Sequence, residues 1–168
     1  MSVTIPLDEL LDYSDHERRK WREWFSADVA RLDIPMQIGG RFPTAAAMVD
    51  HVFLVERRHL ARLEGGTPPE STGIPPGDIE DLFDYGALVR ADLRRYVTDV
   101  DEAGAGETTA VATRAGTFTM ARRALLTHIV LHEVRHFAQI AFGARLAGHP
   151  PPGEHDLLYY AGQQAGSG

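Results

Sequence analysis

Three histidines recur at intervals of four residues inside the longest apolar segment of the chain. They are His128, His132 and His136, and they belong to a total of eight histidines in 168 residues. Residues four apart lie one turn above each other on an α-helix, so this spacing directs several imidazoles to one side only if the segment is helical. The segment from about Thr119 to Ala147 is therefore predicted to be a helix with a largely buried histidine face.

Three earlier segments also have helical periodicity. They run roughly from Leu7 to Leu32, from Thr44 to Leu63 and from Asp78 to Val100, and glycine or proline follows each of them. Residues Glu107 to Phe118 are richer in β-branched side chains and predict a short hairpin or a loop.

Four long amphipathic helices with little strand signal predict an all-α protein, a four-helix bundle. We expect one domain over residues 1–162 and a disordered tail at 163–168. The short segment from Glu154 to Tyr160 is expected to pack Leu157, Leu158 and either Tyr159 or Tyr160 against the body.

Composition excludes several functional classes. The absence of cysteine excludes disulfides, zinc–thiolate sites and a cysteine nucleophile. A formal net charge of -7 argues against a nucleic-acid partner. Neither a signal peptide nor an apolar run of membrane-spanning length is visible, so we expect a cytoplasmic protein with no membrane partner.

His132 and His136 can direct two imidazoles at one divalent metal ion. His51 is the best candidate for a third ligand, because it lies on the apolar face of the second helix. His128 drifts about 40° around the helix relative to His132, so we expect it to support the ligands or face a substrate. His59 has arginine neighbours in sequence and is expected to be exposed.

Three neutral imidazoles leave at least one coordination position open, which is typical of catalytic rather than structural sites. Zinc is the commonest ion for such a ligand set, and nickel, iron or manganese also suits it.

The pentapeptide from His132 to His136 also matches the H-E-x-x-H pattern of zinc metallopeptidases. In that alternative Glu133 is the general base, and Glu154 is the only carboxylate at a plausible distance for a third ligand. The longer metzincin pattern fails, since Gln139 and Phe142 stand where its glycine and third histidine belong, and no upstream edge strand is evident. Glu133 could equally form an ion pair, with Arg135, Arg57 or Arg58 as candidate partners.

A family resemblance rests on His51 within its helix, on the stretch from Leu126 to Ile140, and on the proline-rich turn after Gly148. These features resemble the DinB/YfiT-like family over nearly the whole chain. The resemblance implies a four-helix bundle with a metal site at His51, His132 and His136. Many members have Arg-Gly-Gln after the last histidine; this chain has Phe137-Ala138-Gln139 and keeps only the glutamine.

Members of that family with known activity include S-transferases that use bacillithiol or mycothiol, maleylpyruvate isomerases and some hydrolases. The resemblance implies a metal-dependent, thiol-using transferase or a hydrolase that acts on a small molecule. From their positions in the motif and on the helix, Glu133 and His128 are the catalytic candidates. The thiol would have to come from outside the chain. The family resemblance also suggests a homodimer with an interface formed by the first and fourth helices. The remaining alternative is a stress-associated metal-binding protein without catalytic activity.

Overall fold

A computed structural model describes residues 6–36, 42–113 and 115–165. The elements in chain order are α1 (Leu7–Ser26), a 3-10 helix (Val29–Asp33), α2 (Ala45–Leu63), α3 (Ile79–Asp99), α4 (Glu102–Gly106), β1 (Thr108–Thr113), β2 (Gly116–Ala121), α5 (Arg122–Leu146) and α6 (Leu157–Ala165). The two strands form an antiparallel hairpin directly before α5. The prediction of an all-α four-helix bundle with a short hairpin before the last long helix is confirmed.

The helix ends differ from the sequence-based bounds for local reasons. Helix α1 ends at Ser26, because the Asp28 side chain accepts a hydrogen bond from the Ala30 N–H and starts the separate 3-10 helix. Helix α5 begins only at Arg122, because the residues before it pair in β2. Helix α6 continues to Ala165, so the expected boundary at 163 falls inside it, and residues 166–168 lie outside the described residues.

The four long helices form a closed ring of contacts. Helix α2 packs against α3 and α5, and α1 packs against the same two helices. The order around the bundle is therefore α1, α3, α2, α5, so the connections from α1 to α2 and from α3 to α5 cross a diagonal. The hairpin occupies part of the second crossing and contacts both α2 and α5.

The core consists of two apolar layers, one towards each end of the bundle. One layer is rich in aromatic residues and includes Trp21, Phe53, Phe83 and Phe137. The other is mainly aliphatic and includes Leu11, Leu60, Leu93, Leu125 and Ile129. Within the described residues, no helix has the length and apolar character needed to cross a membrane.

A buried ion cluster separates the two apolar layers. It consists of Arg18 from α1, Glu56 from α2, Arg90 from α3 and Glu133 from α5, each at most 7% exposed. Arg18 Nε donates to Glu133 Oε1 over 2.7 Å, and Arg90 donates to Glu56 Oε1 and Glu133 Oε2, each over 2.8 Å. Arg18 also pairs with Glu56. Each arginine thus joins both glutamates, and all four long helices are linked at mid-height.

Gly86 on α3 makes room for this cluster. A Cβ atom at this position would lie 2.8 Å from the ring of Phe53, closer than two carbon atoms can approach. The Gly86 carbonyl accepts a hydrogen bond of 3.0 Å from Arg18 Nη1, and the guanidinium carbon lies 4.9 Å from the centroid of the Phe53 ring. The missing side chain therefore lets α3 approach α1 and α2 where the charges meet.

The C-terminal segment is fastened mainly by polar and aromatic contacts. The Tyr13 hydroxyl donates to the His155 carbonyl, and the His155 ring stacks on Trp21 with centroids 5.1 Å apart. Tyr160 contacts Tyr13, whereas Leu158 is 76% exposed. The expectation that the leucines pack on the body is wrong: Leu157, Leu158 and Tyr159 are exposed.

We predict that Arg90→Met destabilises the protein by about 3–5 kcal/mol, because it leaves the buried carboxylates of Glu56 and Glu133 with one cation between them. Urea unfolding followed by circular dichroism would measure this loss. The matched control is Arg95→Met on the same helix, where the side chain is 72% exposed and its one ion pair among the described residues is with Asp92. We expect the control to change stability by less than about 0.5 kcal/mol. Equal effects of the two substitutions would contradict a structural role for the cluster.

We also predict a specific pH dependence. Burial alone would raise the pKa of Glu56, but the charges of Arg18 and Arg90 outweigh it and hold the pKa below the ordinary value of 4.5. Because the folded pKa is depressed, the stabilisation is complete above the unfolded pKa and is lost as the pH falls towards the folded value. The advantage of the wild type over Glu56→Gln should shrink below pH 4.5 by up to about 1.4 kcal/mol per pH unit. A constant difference between pH 7 and pH 3.5 would refute this.

Candidate metal centre

Three imidazoles from two helices converge at the contact between α2 and α5. His51 comes from α2, and His132 and His136 come from α5; one nitrogen of each ring lies within 4.8 Å of the nitrogens of the other two. The ring centroid of His51 lies 5.0 Å from that of His132 and 5.1 Å from that of His136. The predicted convergence of these three histidines is therefore found in the structure.

The distances suit a shared metal ion. His132 Nε2 and His136 Nε2 are 3.1 Å apart. Two nitrogens bound to one zinc ion at about 2.1 Å and a tetrahedral angle lie roughly 3.4 Å apart. The two atoms thus need to move by only a few tenths of an ångström to bind the same ion.

Gln139 fixes the orientation of one of these rings. It lies one turn after His136 on α5, and its Oε1 is 2.6 Å from His136 Nδ1. Since an amide oxygen only accepts hydrogen bonds, His136 Nδ1 carries the proton and donates it, so Nε2 is the ring nitrogen that can coordinate a metal ion.

Burial keeps His132 uncharged. Burial, and then the neighbouring His136 and His51, lower the pKa of His132 to about 2. His132 is therefore neutral at physiological pH, as metal coordination requires. Phe42 covers the site on one side, with its ring centroid 4.3 Å from that of His51 and 6.0 Å from that of His136.

His128 and His59 extend the row of histidines beyond the three ligand candidates. The His128 ring lies 5.6 Å from His132 and 5.3 Å from His59, and His128 is exposed to solvent. The prediction that His59 is exposed is wrong, because only 7% of its surface is accessible. Its arginine neighbours in sequence suggested solvent, but the ring itself points into the contact between α2 and α5.

Glu133, the candidate general base, faces away from the metal candidates. Its carboxylate lies in the ion cluster and accepts hydrogen bonds from Arg18 and Arg90, not from the arginines near it in sequence. It also lines a cavity of about 530 Å³ between α1, α5 and the C-terminal segment, whose lining includes Tyr13 and none of the three ligand candidates. Glu154, the alternative third ligand, lies beside this cavity and outside the histidine cluster.

The roles of two residues near the site, Gln139 and His59, were not predicted from the sequence. Gln139 had no role assigned, although its spacing of three residues from His136 places the two side chains on neighbouring turns. His59 follows His51 by eight residues, the same interval that separates His128 from His136. That matched spacing on the two helices was the available signal.

Comparison with protein families gives a match to the DinB family over residues 1–166. Comparison with curated proteins gives no match.

We predict that Gln139→Leu lowers the affinity for added Zn²⁺ or Ni²⁺ by about 10–100-fold, because the His136 ring loses the partner that fixes its tautomer and orientation. Competition with a chromogenic chelator would measure this affinity. Gln139→Glu keeps an acceptor at the same position and should retain tight binding. An unchanged affinity in the leucine variant would show that Gln139 does not orient a ligand.

Proposed function

Because the chain belongs to the DinB family, we propose that His51, His132 and His136 bind a divalent metal ion and that the protein is a metal-dependent transferase or hydrolase acting on a small molecule. The observation that carries this proposal is the convergence of three imidazoles from two helices. Zinc, nickel, iron and manganese all suit such a ligand set.

A divalent ion held by three imidazoles would lower the pKa of a water or thiol bound at its open position, which supplies a nucleophile at neutral pH. The side chains of this protein have defined tasks around it. His132 and His136 offer Nε2 atoms, Gln139 holds the proton on His136 Nδ1, and Phe42 limits the access of water. We propose that His128, exposed one turn away, faces the substrate.

A thiol-dependent reaction would need a thiol from outside, because the chain contains no cysteine. A low-molecular-weight thiol is therefore the proposed cosubstrate of the transferase, and water takes its place in a hydrolase. We propose that Glu133 has a structural role, in which it links the helices through its ion pairs with Arg18 and Arg90, and that it takes no part in proton transfer.

The metallopeptidase alternative has less support. Its base, Glu133, is 2% exposed and bound by two arginines, and Glu154 does not join the histidine cluster. One expectation against it was wrong, since β2 does supply a strand directly before α5. That hairpin alone does not provide a peptidase with its missing base and ligand.

The proposal is tested with protein purified without a histidine tag, followed by metal analysis. We expect about one divalent ion per chain in the wild type, at least a 100-fold loss of affinity in His51→Ala and no loss in His149→Ala, which removes a histidine outside the cluster. Loss of affinity in Glu154→Ala but not in His51→Ala would favour the peptidase.

Activity then separates the reaction types. The metal-loaded protein is assayed with a thiol plus chlorodinitrobenzene, and with casein. Conjugation without casein cleavage supports the transferase. A metal-loaded protein inert with all substrates, including simple esters and amides, would favour a non-enzymatic metal-binding protein. Failure to bind any divalent ion would remove the metalloenzyme proposal.

We also propose that the protein forms a homodimer through an apolar stripe on α5. Leu131, Val134, Phe142 and Leu146 are exposed and recur at helical spacing. A two-fold axis would bring the same stripe of two copies together, and exposed apolar patches of this kind mark interfaces. Analytical ultracentrifugation should show a dimer that Phe142→Lys dissociates; a monomeric wild type at micromolar concentration would contradict the proposal.

A further inference from the structure

The row of histidines between α2 and α5 continues towards a group of arginines. His59 is buried two turns after His51, and its Nδ1 accepts a hydrogen bond of 3.3 Å from Arg62 Nη1. The His59 ring contacts His128, which in turn contacts the ligand candidate His132. A continuous path of side chains thus leads from the metal candidates to Arg62.

Two further arginines share helix faces with the histidines: Arg58 lies on the face of His51 on α2, and Arg135 lies on the face of His128 on α5. Arg58 and Arg62 follow His51 by seven and eleven residues, which places them within about 20° of it around α2. Arg135 follows His128 by seven residues and has the same relation on α5. Its charge acts on His128, since burial and then Arg135 lower the pKa of that histidine.

None of these three arginines forms an ion pair within the described part of the chain. Arg58 donates to the backbone carbonyls of Pro69 and Glu70, and Arg62 donates to His59. Burial and the adjacent Arg58 lower the pKa of Arg62, as expected for a guanidinium without a counterion.

The carboxylates of the same helices are committed elsewhere. Glu56 and Glu133 face the ion cluster, Asp50 accepts from Thr72, and Glu64 pairs with Arg57. The chain as a whole carries a net charge of -7. The face of α2 that contains Arg58 and Arg62 is therefore a positive region on an acidic protein, and the row of histidines connects it with the proposed metal site.

This charge distribution discriminates between two kinds of ligand. His59 and His128 could form a second cation site, but they supply only two nitrogens, and the guanidinium groups of Arg58 and Arg62 repel a cation near His59. An oxyanion is attracted by the same groups, and Arg62 can donate to it from a partly desolvated position where such hydrogen bonds are strong.

We propose that Arg62, flanked by Arg58, binds the carboxylate or phosphate group of a substrate or cosubstrate whose reactive end reaches the three-histidine site. This inference rests on the proposed function and names its substrate class: an elongated molecule with an oxyanion at one end. The eleven residues between His51 and Arg62 correspond to roughly 16 Å along α2, less the reach of the arginine side chain. The two ends of the molecule must therefore be several bonds apart.

The first experiment needs no metal. The melting temperature of chelator-treated protein is measured with inorganic phosphate and with suberate, each against chloride at equal ionic strength. We expect both oxyanions to raise it by about 2–4 °C in the wild type and in Arg57→Gln, which removes a charge from another face of α2. Arg62→Gln should lose most of the rise. Absence of the rise, or its retention in Arg62→Gln, would overturn the proposal whether or not the metal site exists.

The second experiment connects the two sites. Cobalt-loaded protein is titrated with mercaptocarboxylates of three to eight carbons and with the matching mercaptoalcohols, and the thiolate-to-cobalt absorption band reports binding. We expect the longer carboxylates to bind about tenfold more tightly than their alcohols, and Arg62→Gln to remove this difference while leaving the alcohols unchanged.

The outcomes of the two experiments are distinct. An oxyanion effect on melting without any thiolate band would retain the anion site and refute the thiol part of the proposed function. Equal binding of long carboxylates and alcohols would refute the anion site as a substrate site. A second equivalent of Zn²⁺ that is lost in His59→Ala would overturn the proposal by showing a cation site.

Discussion

Two arginines and two glutamates, one from each long helix, meet in the middle of the bundle and are almost completely buried. Apolar side chains above and below this ion cluster can repack after a small sliding of one helix, whereas ion pairs cannot. A slip of one turn, about 5.4 Å, would separate the charges and leave them buried without partners at a cost of several kcal/mol. We infer that the cluster sets the axial position and rotation of all four helices.

The histidine site depends on that alignment. Glu133 directly follows His132 and lies about 100° around α5 from it. Because its carboxylate is fixed in the core, the His132 side chain is directed towards the contact with α2. Glu56 does the same for α2, since it follows His51 by five residues and faces a different side of the helix. The ion cluster thus fixes the core-facing sides of α2 and α5, and with them the positions of the metal candidates. Gln139 orients His136 locally. Arg58 and Arg62 add positive charge around His59.

The sequence predicted those features that leave a local pattern. The helical spacing of His132 and His136, and the position of His51 between Met48 and Val55, indicated the convergence that the structure contains. The ion cluster was not predicted, because its four members come from four helices and no spacing along the chain links Arg18 to Glu133. His59 was misjudged for a related reason: neighbours in sequence indicated solvent, while packing between helices determined its burial.

A crystal structure of the metal-loaded protein, with the ion located by anomalous scattering, tests the central claim most directly. The account predicts one ion bonded to nitrogens of His51, His132 and His136 at about 2.0–2.2 Å, with Glu133 still bound to Arg18 and Arg90. An ion bound to His132 and His136 without His51, or a Glu133 carboxylate turned towards the ion, would contradict it.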